Sequence, residues 1–477
     1  MGGLSRKALQ ITRLAEQEKL PSLFLDSGAL LFPGKNLQDR KKAAATVNAE
    51  GIVTAMQAMN CQAAGISSYD LAGGIGLLEE LQEQGRVTWL SGNLVDSKKK
   101  EPVFTPSLFT EVNGIKIAIL GITGEQAGEA TGIKEAGYTI LPWQETLPKM
   151  AAAAGKKADM TILLSSYPYL VNKEIAESVA GVHLILASGH AVSSSHPYQA
   201  ENTVIAQTGA RGKYLGMMRI NWTETQQWSE NFSSQIQQAR KQLKQVNSQL
   251  ARLEKQGDKD KLKKNKRYQN MLAKKKQISK QIKKLQEDKA AAPESETLCS
   301  FSNKFIPLET SLPEDPQVKK IIDQTIQQVN MVNQKHAPVA TKQPTATLQD
   351  LAGWQACQKC HQKQVEFWQG TKHAAAWSTL EKKNQQFNEE CLICHVTLPY
   401  YDDARVKSEN LLLMLPGTLK NVGCETCHGP AADHSTKQMP IPVPHPDEKV
   451  CAGCHTTEHD DNFVFADKMK KIRCPEK

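Results

Sequence analysis

The feature that most constrains this chain of 477 residues is one five-residue pattern that occurs four times. The pattern is Cys-x-x-Cys-His, and its copies begin at Cys357, Cys391, Cys424 and Cys451. These copies contain eight of the 11 cysteines. That distribution argues against a disulfide framework and indicates a repeated cofactor site.

Each copy has the spacing that covalent haem attachment requires. Two thiols add to the two vinyl groups of one haem, and the histidine that follows is placed to ligate the iron from one face. A zinc site or a thiol redox pair also uses Cys-x-x-Cys, but neither needs a histidine at that one offset in every copy. The sequence therefore predicts four covalently bound c-type haems (haem c). The predicted attachment residues are Cys357, Cys360, Cys391, Cys394, Cys424, Cys427, Cys451 and Cys454, and the predicted proximal ligands are His361, His395, His428 and His455.

A second iron ligand can come from the histidines outside these motifs. The region offers five: His336, His373, His434, His445 and His459. Five candidates for four irons favour mostly bis-histidine ligation, which is typical of low-potential electron-transfer haems. We predict His373, His434, His445 and His459 as the distal ligands. Which histidine serves which haem is left open, and a lone histidine is often only a surface or structural residue.

The predicted haem domain, residues 348–477, is poor in long periodic elements. With roughly 30 to 35 residues per haem there is too little chain for a conventional apolar core. The haems must then form much of the core and lie near one another. The region is therefore predicted to be a mainly α-helical and irregular multihaem cytochrome c domain.

The same region resembles the tetrahaem cytochrome c-554 family. The stretches that carry the resemblance are 367–376, 422–434 and 454–463. The resemblance covers about residues 350–475 and implies that His373 and His434 are axial ligands. Members of that family can keep one five-coordinate haem, so an open iron site is left as an alternative.

Residues 1–225 alternate helical and strand signals. Short apolar runs at 23–25, 160–164 and 183–187 each end at Ser or Gly, as buried strands do. Asn113-Gly114 between two apolar stretches is a strong signal for a two-residue hairpin. Helices are predicted over 40–59 and 74–81. These signals predict an α/β domain with a mixed sheet, which residues 296–313 rejoin as a returning strand.

Between these parts lies a basic segment, predicted as an antiparallel coiled-coil hairpin over 233–290. Apolar residues recur at a and d spacing on both sides of a breaker at 256–260. Residues 236–290 contain 18 Lys and Arg against 5 Asp and Glu, a net charge of +13, whereas the whole chain has +9, so the rest has −4. The segment is either a docking arm for an acidic partner or anionic surface, or a solvated outer face. Residues 314–347 are predicted as a helix and a linker.

The α/β domain resembles the metallophosphatase domain of 5′-nucleotidases, with its first strand missing. The matching stretches are 2–6, 25–28, 92–94, 113–124, 186–190 and 207–216. The resemblance implies a sandwich fold and a two-metal site that clamps a phosphoryl group.

The ligands of that two-metal site are almost all absent from this sequence. Ala29 stands where the family has Asp, residues 72–75 lack ligands, residues 165–167 replace a histidine, and His190 is kept without its second histidine. A retained scaffold or binding domain is therefore favoured over residual nucleotidase or phosphoesterase activity.

The resulting hypothesis is a multihaem electron-transfer protein, and no catalytic residues are assigned. Redox partners are expected, namely other cytochromes or a quinol-linked donor. No nucleic-acid partner is expected, because the positive charge belongs to one segment. No run approaches the roughly 18 apolar residues of a membrane span. Covalent haem attachment implies export to the periplasm or outer surface of a bacterium, although this chain shows no export signal and a longer precursor is expected. The alternative is a haem enzyme that acts on a small nitrogen or sulfur oxide.

Overall fold

The computed structural model describes residues 3–85, 87–127, 132–189, 195–209, 212–229, 232–256, 265–291, 297–336, 350–398, 415–456, 460 and 463–476. The chain forms two compact units, Met1–Ile322 and Asp323–Lys477. The division between them falls inside the helix Pro316–His336. Residues 337–347 of the predicted helix and linker, and residues 348–349 of the predicted haem domain, lie outside the described residues.

The first unit is built around a mixed sheet. Its strands are β1 (Phe24–Asp26), β2 (Cys61–Gly65), β3 (Thr88–Leu90), β4 (Leu94–Asp96), β5 (Ser107–Val112), β6 (Ile115–Ile122), β7 (Tyr138–Ile140), β8 (Met160–Ser165), β9 (Leu184–Ala187), β10 (Ser195–Ala200), β11 (Thr203–Gln207), β12 (Tyr214–Asn221) and β13 (Ser300–Pro307). The main sheet has the order β10-β11-β9-β8-β6-β5, with antiparallel strands at both edges. Strands β1, β2 and β3 form a parallel sheet, and β4–β7 and β12–β13 are antiparallel pairs.

Two sequence predictions for this unit are confirmed. Asn113 and Gly114 have φ angles of 53° and 80°, so both adopt the left-handed conformation that a tight hairpin turn between β5 and β6 requires. The returning strand is β13, which pairs with β12 along its whole length. The predicted mixed sheet is therefore present, and the strand that rejoins this unit follows the basic hairpin in sequence.

Alternate residues of the main sheet face two different layers. The helices of this unit are α1 (Leu4–Glu18), α2 (Asp39–Ala58), α3 (Ile75–Glu83), α4 (Trp143–Gly155) and α5 (Tyr169–Ser178). Leu120 and Leu163 pack in one apolar cluster with α4 and α5. Ile119 and Ile162 point to the opposite face and pack with β2, β3 and the β12–β13 pair. This period of two gives an α/β sandwich with apolar clusters on both faces of the sheet.

The basic segment forms two helices, α6 (Phe232–Gln256) and α7 (Lys266–Ala291). Buried and partly buried residues of both helices form a single apolar seam; they are Ala239, Leu243, Val246, Leu250, Tyr268, Met271, Leu272, Ile278 and Ile282. The Tyr268 hydroxyl donates a hydrogen bond to Glu254 Oε1 at 2.8 Å, which joins the end of α6 to the start of α7. The two helices therefore run antiparallel. Of the breaker predicted over 256–260, residue 256 ends α6, and residues 257–260 lie outside the described residues.

Apart from the 21-residue helix that it shares with the first unit, the second unit consists of short helices. Its helices are α8 (Pro316–His336, shared with the first unit), α9 (Trp354–Gln358), α10 (Gln362–Gln369), α11 (Ala376–Glu381), α12 (Glu389–His395), α13 (Cys424–His428), α14 (Ala432–Lys437), α15 (Glu448–Ala452) and α16 (Phe465–Ile472). Short 3₁₀ helices occupy His373–Ala375 and Gly417–Leu419, and Asp70–Gly73 in the first unit. The apolar cluster of this unit contains only six buried residues among those described, which are Leu380, Leu392, Val396, Leu398, Leu415 and Leu419. So small a core suits a fold that is completed by cofactors.

Candidate haem sites

The second and third Cys-x-x-Cys-His motifs lie within short helices, and the first and fourth begin at the end of a helix and continue through a turn. In the first motif the Cys357 carbonyl accepts hydrogen bonds from the backbone N–H groups of Cys360 (3.2 Å) and His361 (2.9 Å). The same two bonds in the fourth motif measure 3.1 and 2.9 Å. A turn of this kind places residues i, i+3 and i+4 on one side of the helix. The two thiols and the imidazole of each motif can therefore reach one haem from the same side.

Hydrogen bonds orient the proximal imidazoles of the second and third motifs. His395 Nδ1 lies 2.9 Å from the carbonyl oxygen of Ala376, and His428 Nδ1 lies 2.9 Å from that of Val443. A carbonyl oxygen only accepts, so Nδ1 carries the proton in both rings. The lone pair is then on Nε2, which is the atom available to an iron.

The proximal imidazole of the fourth motif has a different partner. His455 Nδ1 lies 3.0 Å from Asp460 Oδ2, and Lys468 Nζ lies 2.9 Å from the same oxygen. The Phe463 ring stacks on the imidazole at 5.1 Å between ring centroids. Sequence reasoning did not single out Asp460. Its only signal in the sequence is its position directly after His459.

Two of the predicted distal histidines lie opposite proximal ones. The ring centroids of His361 and His434 are 6.1 Å apart, and those of His373 and His455 are 6.2 Å apart. A metal–imidazole bond of about 2 Å on each side, plus about 1 Å from each ring nitrogen to its centroid, would separate two trans imidazoles by about 6 Å. Both pairs thus have the spacing that one iron between two imidazoles requires.

The surroundings of the two distal histidines fix their positions. His434 Nδ1 donates to the carbonyl oxygen of Met439 at 2.6 Å, which again leaves Nε2 for a metal. The His373 carbonyl accepts a hydrogen bond from Val422 N at 3.1 Å, and the Trp368 indole donates to the Val422 carbonyl at 2.8 Å. Burial lowers the pKa of His373, and the neighbouring His455 and His395 lower it further. A neutral imidazole is the form that binds iron.

The other two predicted distal ligands are His445 and His459. The His445 side chain is exposed on the segment before α15. His459 lies outside the described residues, as does the side chain of His336. Their assignment as iron ligands stays a prediction from the sequence.

The thiols of different motifs lie close to one another. A hydrogen bond between the thiols of Cys357 and Cys424 lowers the pKa of Cys357 and raises that of Cys424. The pKa of Cys427 is raised to about 12. Burial is the largest cause, and the nearby thiols of Cys451, Cys474 and Cys454 contribute the rest. The first motif therefore adjoins the third, and the third adjoins the fourth. The second motif adjoins the third as well, because the Thr397 hydroxyl, two residues after His395, accepts a hydrogen bond from Gly423 N at 3.1 Å.

A buried carboxylate joins the first and third motifs. Glu425 is 2% exposed and lies within the third motif. Its Oε1 accepts hydrogen bonds from the N–H groups of Ala352 and Ala431, and its Oε2 accepts one from Gly353, all at 2.8 Å. The chain that enters the first motif and the turn that leads to α14 are thus tied to one side chain.

Two buried polar side chains of the first unit are engaged by backbone groups. Asn93, in one of the stretches that resemble the 5′-nucleotidases, is fully buried. Its Nδ2 donates to the carbonyls of Thr123 (2.8 Å) and Leu141 (2.9 Å), and its Oδ1 accepts from Thr123 N at 2.7 Å. Both ends of the amide are therefore engaged by backbone groups.

Asp70 is held in the same way. It is fully buried, and it accepts hydrogen bonds from the N–H groups of Ala29, Leu30, Leu31 and Ser67, at 2.7 to 3.1 Å, and from the Ser67 hydroxyl. Burial raises the pKa of Asp70, and these hydrogen bonds oppose the rise. The Ala29 N–H, where the resemblance would place a ligand aspartate, thus serves a structural carboxylate.

Across the residues that the structure describes, no three His, Cys, Asp or Glu side chains converge as a protein-only metal site would require. His190 falls outside that part of the chain. The described residues of the first unit therefore do not fit the two-metal centre implied by the resemblance. The haem motifs are a different case, since the iron of a haem needs only two protein ligands.

Comparison with family models supports the resemblance of the second unit. Residues 356–429 match the model of a family described as cytochrome c554 and c-prime. The matched stretch contains the first three motifs and His373, whereas His434 and the fourth motif lie beyond it. A search of the curated proteins finds no match to this chain.

Among solved structures, the chain is similar to enzymes of the metallophosphatase class. The sulfate thiohydrolase SoxB of Thermus thermophilus shares 15% identity at a TM-score of 0.47, over 71% of this chain and 48% of that one. A 5′-nucleotidase precursor of the same organism shares 16% identity at a TM-score of 0.47, over 69% of this chain and 54% of that one. The calcineurin-like phosphoesterase YfkN of Bacillus subtilis shares 13% identity at a TM-score of 0.42, over 69% of this chain and 90% of that one. The chain spans about half the length of the first two structures.

Proposed function

We propose that the chain is a c-type cytochrome with four haems that carries electrons between redox partners outside the cytoplasm. The observation that carries this proposal is the pairing of His361 with His434 and of His373 with His455 at 6.1 and 6.2 Å. Each pair contains one histidine of a Cys-x-x-Cys-His motif and one histidine from elsewhere in the second unit. Haem c, when bound, supplies one-electron exchange at its iron. The protein residues attach it, hold the imidazoles and exclude other ligands from the two paired positions.

Each motif adjoins at least one other motif. Cys357 contacts Cys424, Cys427 lies near Cys451, and His373 lies near both His455 and His395. The Thr397 hydroxyl, two residues after the second motif, accepts a hydrogen bond from Gly423 N, directly before the third motif, at 3.1 Å. Short separations favour electron exchange between neighbours, so the four sites are proposed to exchange electrons with one another.

The first unit is proposed as a scaffold or docking domain without hydrolytic activity. The hydrogen bonds of Asn93 and Asp70 support this proposal, because they engage these two buried polar side chains with backbone groups. Hydrolysis of phosphate esters by a two-metal site needs two cations held by several carboxylates and imidazoles. Turnover of a nucleoside monophosphate that requires added Mn²⁺ or Zn²⁺ and stops on chelation would contradict it.

The proposed location is the periplasm or the outer surface of a bacterium, where haem is joined to cysteines. Among the described residues, no helix is both long enough and apolar enough to cross a bilayer. The proposed partners are other cytochromes or a quinol-linked donor. Lysines exposed along α7, among them Lys276, Lys280 and Lys284, suit an acidic redox partner. Complex formation that weakens as ionic strength rises is the expected behaviour.

Ligation spectroscopy of the purified ferric protein tests the proposal. Low-spin bis-histidine signals are expected from at least the two haems whose ligands pair in the structure. The variants His434→Ala and His373→Ala should each convert one low-spin haem to a high-spin form, and Ser435→Ala, next to His434 on α14, serves as the control. A protein whose haems are all high-spin and all bind carbon monoxide when reduced would contradict electron transfer through bis-histidine sites and favour a haem enzyme.

A further inference from the structure

Asp460 directs a carboxylate at the proximal imidazole of the fourth motif. Its Oδ2 lies 3.0 Å from His455 Nδ1. The aspartate lies just before α16, the helix that brings Lys468 to 2.9 Å from the same oxygen. Phe463 stacks on the imidazole face with an interplanar angle of 20°. The ring is thus fixed in orientation, with its protonated nitrogen directed at a negative charge.

Three other histidines of the module use a neutral acceptor instead. His395, His428 and His434 each direct Nδ1 at a backbone carbonyl, at 2.9, 2.9 and 2.6 Å. A carbonyl dipole attracts the Nδ1 proton less strongly than a full carboxylate charge does. A carboxylate partner makes a ligating imidazole more basic and so a stronger electron donor to its metal.

We infer that Asp460 tunes the fourth haem site by lowering its reduction potential. This inference rests on the proposed function, because it requires a haem at Cys451 and Cys454 with His455 and His373 as its ligands. A more basic imidazole and a nearby negative charge both stabilise ferric over ferrous iron. One electron from a donor reduces the iron, and the Nδ1 proton remains between His455 and Asp460 in both states. Asp460 acts through His455, so it is a positioning and tuning residue.

Lys468 limits this effect. Its ammonium shares Asp460 Oδ2 with the imidazole, and it therefore draws electron density away from the bond to His455. Loss of the lysine should strengthen the Asp460–His455 interaction and lower the potential further. The two residues thus predict shifts of opposite sign at the same haem.

Potentiometric titration of the full haem-loaded chain tests the inference. Asp460→Asn should raise one of the four potentials, with about a tenfold change in the one-electron equilibrium constant, or about 59 mV. Lys468→Gln should lower the same potential, and Asp460→Glu should restore most of the wild-type value. Asp433→Asn and Lys470→Gln are matched controls, because they remove equal charges from exposed ion pairs of the same module. The affected haem is identified by His373→Met, which changes the distal ligand at the same iron.

The outcomes separate this inference from the proposed function. Opposite shifts at one haem, which persist at high salt where surface charges are screened, support the tuning role. Equal shifts at all four haems, or no shift in Asp460→Asn with four haems bound, would overturn it while leaving electron transfer intact. A wild-type chain without bis-histidine haem at the fourth motif would overturn both. If Asp460→Asn does not fold, Lys468→Gln still decides the question, because Lys468 lies on the largely exposed helix α16 and its replacement should not prevent folding.

Discussion

Glu425→Gln tests how the first and third haem motifs are held together. The carboxylate is 2% exposed and accepts three backbone hydrogen bonds at 2.8 Å, from Ala352, Gly353 and Ala431. Glutamine has the same shape but only one acceptor oxygen. With that oxygen in the Oε1 position, two bonds remain and the amide group faces the Gly353 N–H. A hydrogen bond to a charged group contributes about 1.5–3 kcal/mol, so the substitution should destabilise the module by about 3 kcal/mol.

Guanidinium unfolding followed by circular dichroism of the haem bands measures this loss, because those bands report only the second unit. With a slope of a few kcal/mol per molar, the midpoint should fall by roughly 0.5–1 M. Glu381→Gln is the control, since this exposed glutamate accepts one hydrogen bond from the Trp377 indole at 2.7 Å, which glutamine can keep. Equal midpoints for Glu425→Gln and the wild type would refute the reasoning.

Further predictions concern both units. His434→Met should raise the reduction potential of one haem by on the order of 0.1 V, because methionine favours ferrous iron. Potentiometry measures this shift, and four unchanged potentials would show that His434 is not an iron ligand. Burial lowers the pKa of His183 to about 4. The unfolded state therefore binds the extra proton between about pH 6.5 and 4, and the first unit should lose up to about 3 kcal/mol of stability as the pH falls through that range. Thermal unfolding at pH 7 and pH 4.5 measures this loss, and His183→Gln should abolish most of the difference. Replacing Lys276, Lys280 and Lys284 by Gln should weaken binding to an acidic cytochrome at low salt but not at high salt, and equal binding at low salt would leave the hairpin without a docking role.

The local chemistry of the haem motifs could be predicted from the sequence because it depends on adjacent residues. Cys-x-x-Cys-His forms a single turn, and no distant contact is needed to bring its thiols and imidazole to one side. The hairpin turn at Asn113 and Gly114 is of the same kind, since the two residues themselves favour a left-handed conformation. Both predictions depend on short-range sterics.

The pairing of histidines could not be predicted in this way. His361 and His434 belong to distant parts of the chain, and their 6.1 Å separation depends on Glu425, which ties the two parts together. Glu425 and Asp460 look like ordinary surface carboxylates in the sequence, because nothing local marks them as buried or as partners of a histidine. Their roles depend on tertiary contacts alone.

The first unit shows a third case. The sequence indicated that metal ligands were missing, from Ala29 and residues 72–75. It did not indicate the hydrogen-bond networks of Asp70, which accepts from the Ala29 N–H, and of Asn93. A missing ligand can be recognised from the identity of a single residue. A hydrogen-bond network with backbone groups cannot be predicted in this way, because every residue has those groups.

Intact mass spectrometry of the protein matured in a host with haem-attachment machinery tests the central claim most directly. We expect a mass increase of four haems per chain, which falls to three when both cysteines of any one motif are replaced by serine. An unmodified mass, or any other haem number in the wild-type protein, would contradict the assignment of Cys357, Cys391, Cys424 and Cys451 and their partners as haem attachment sites.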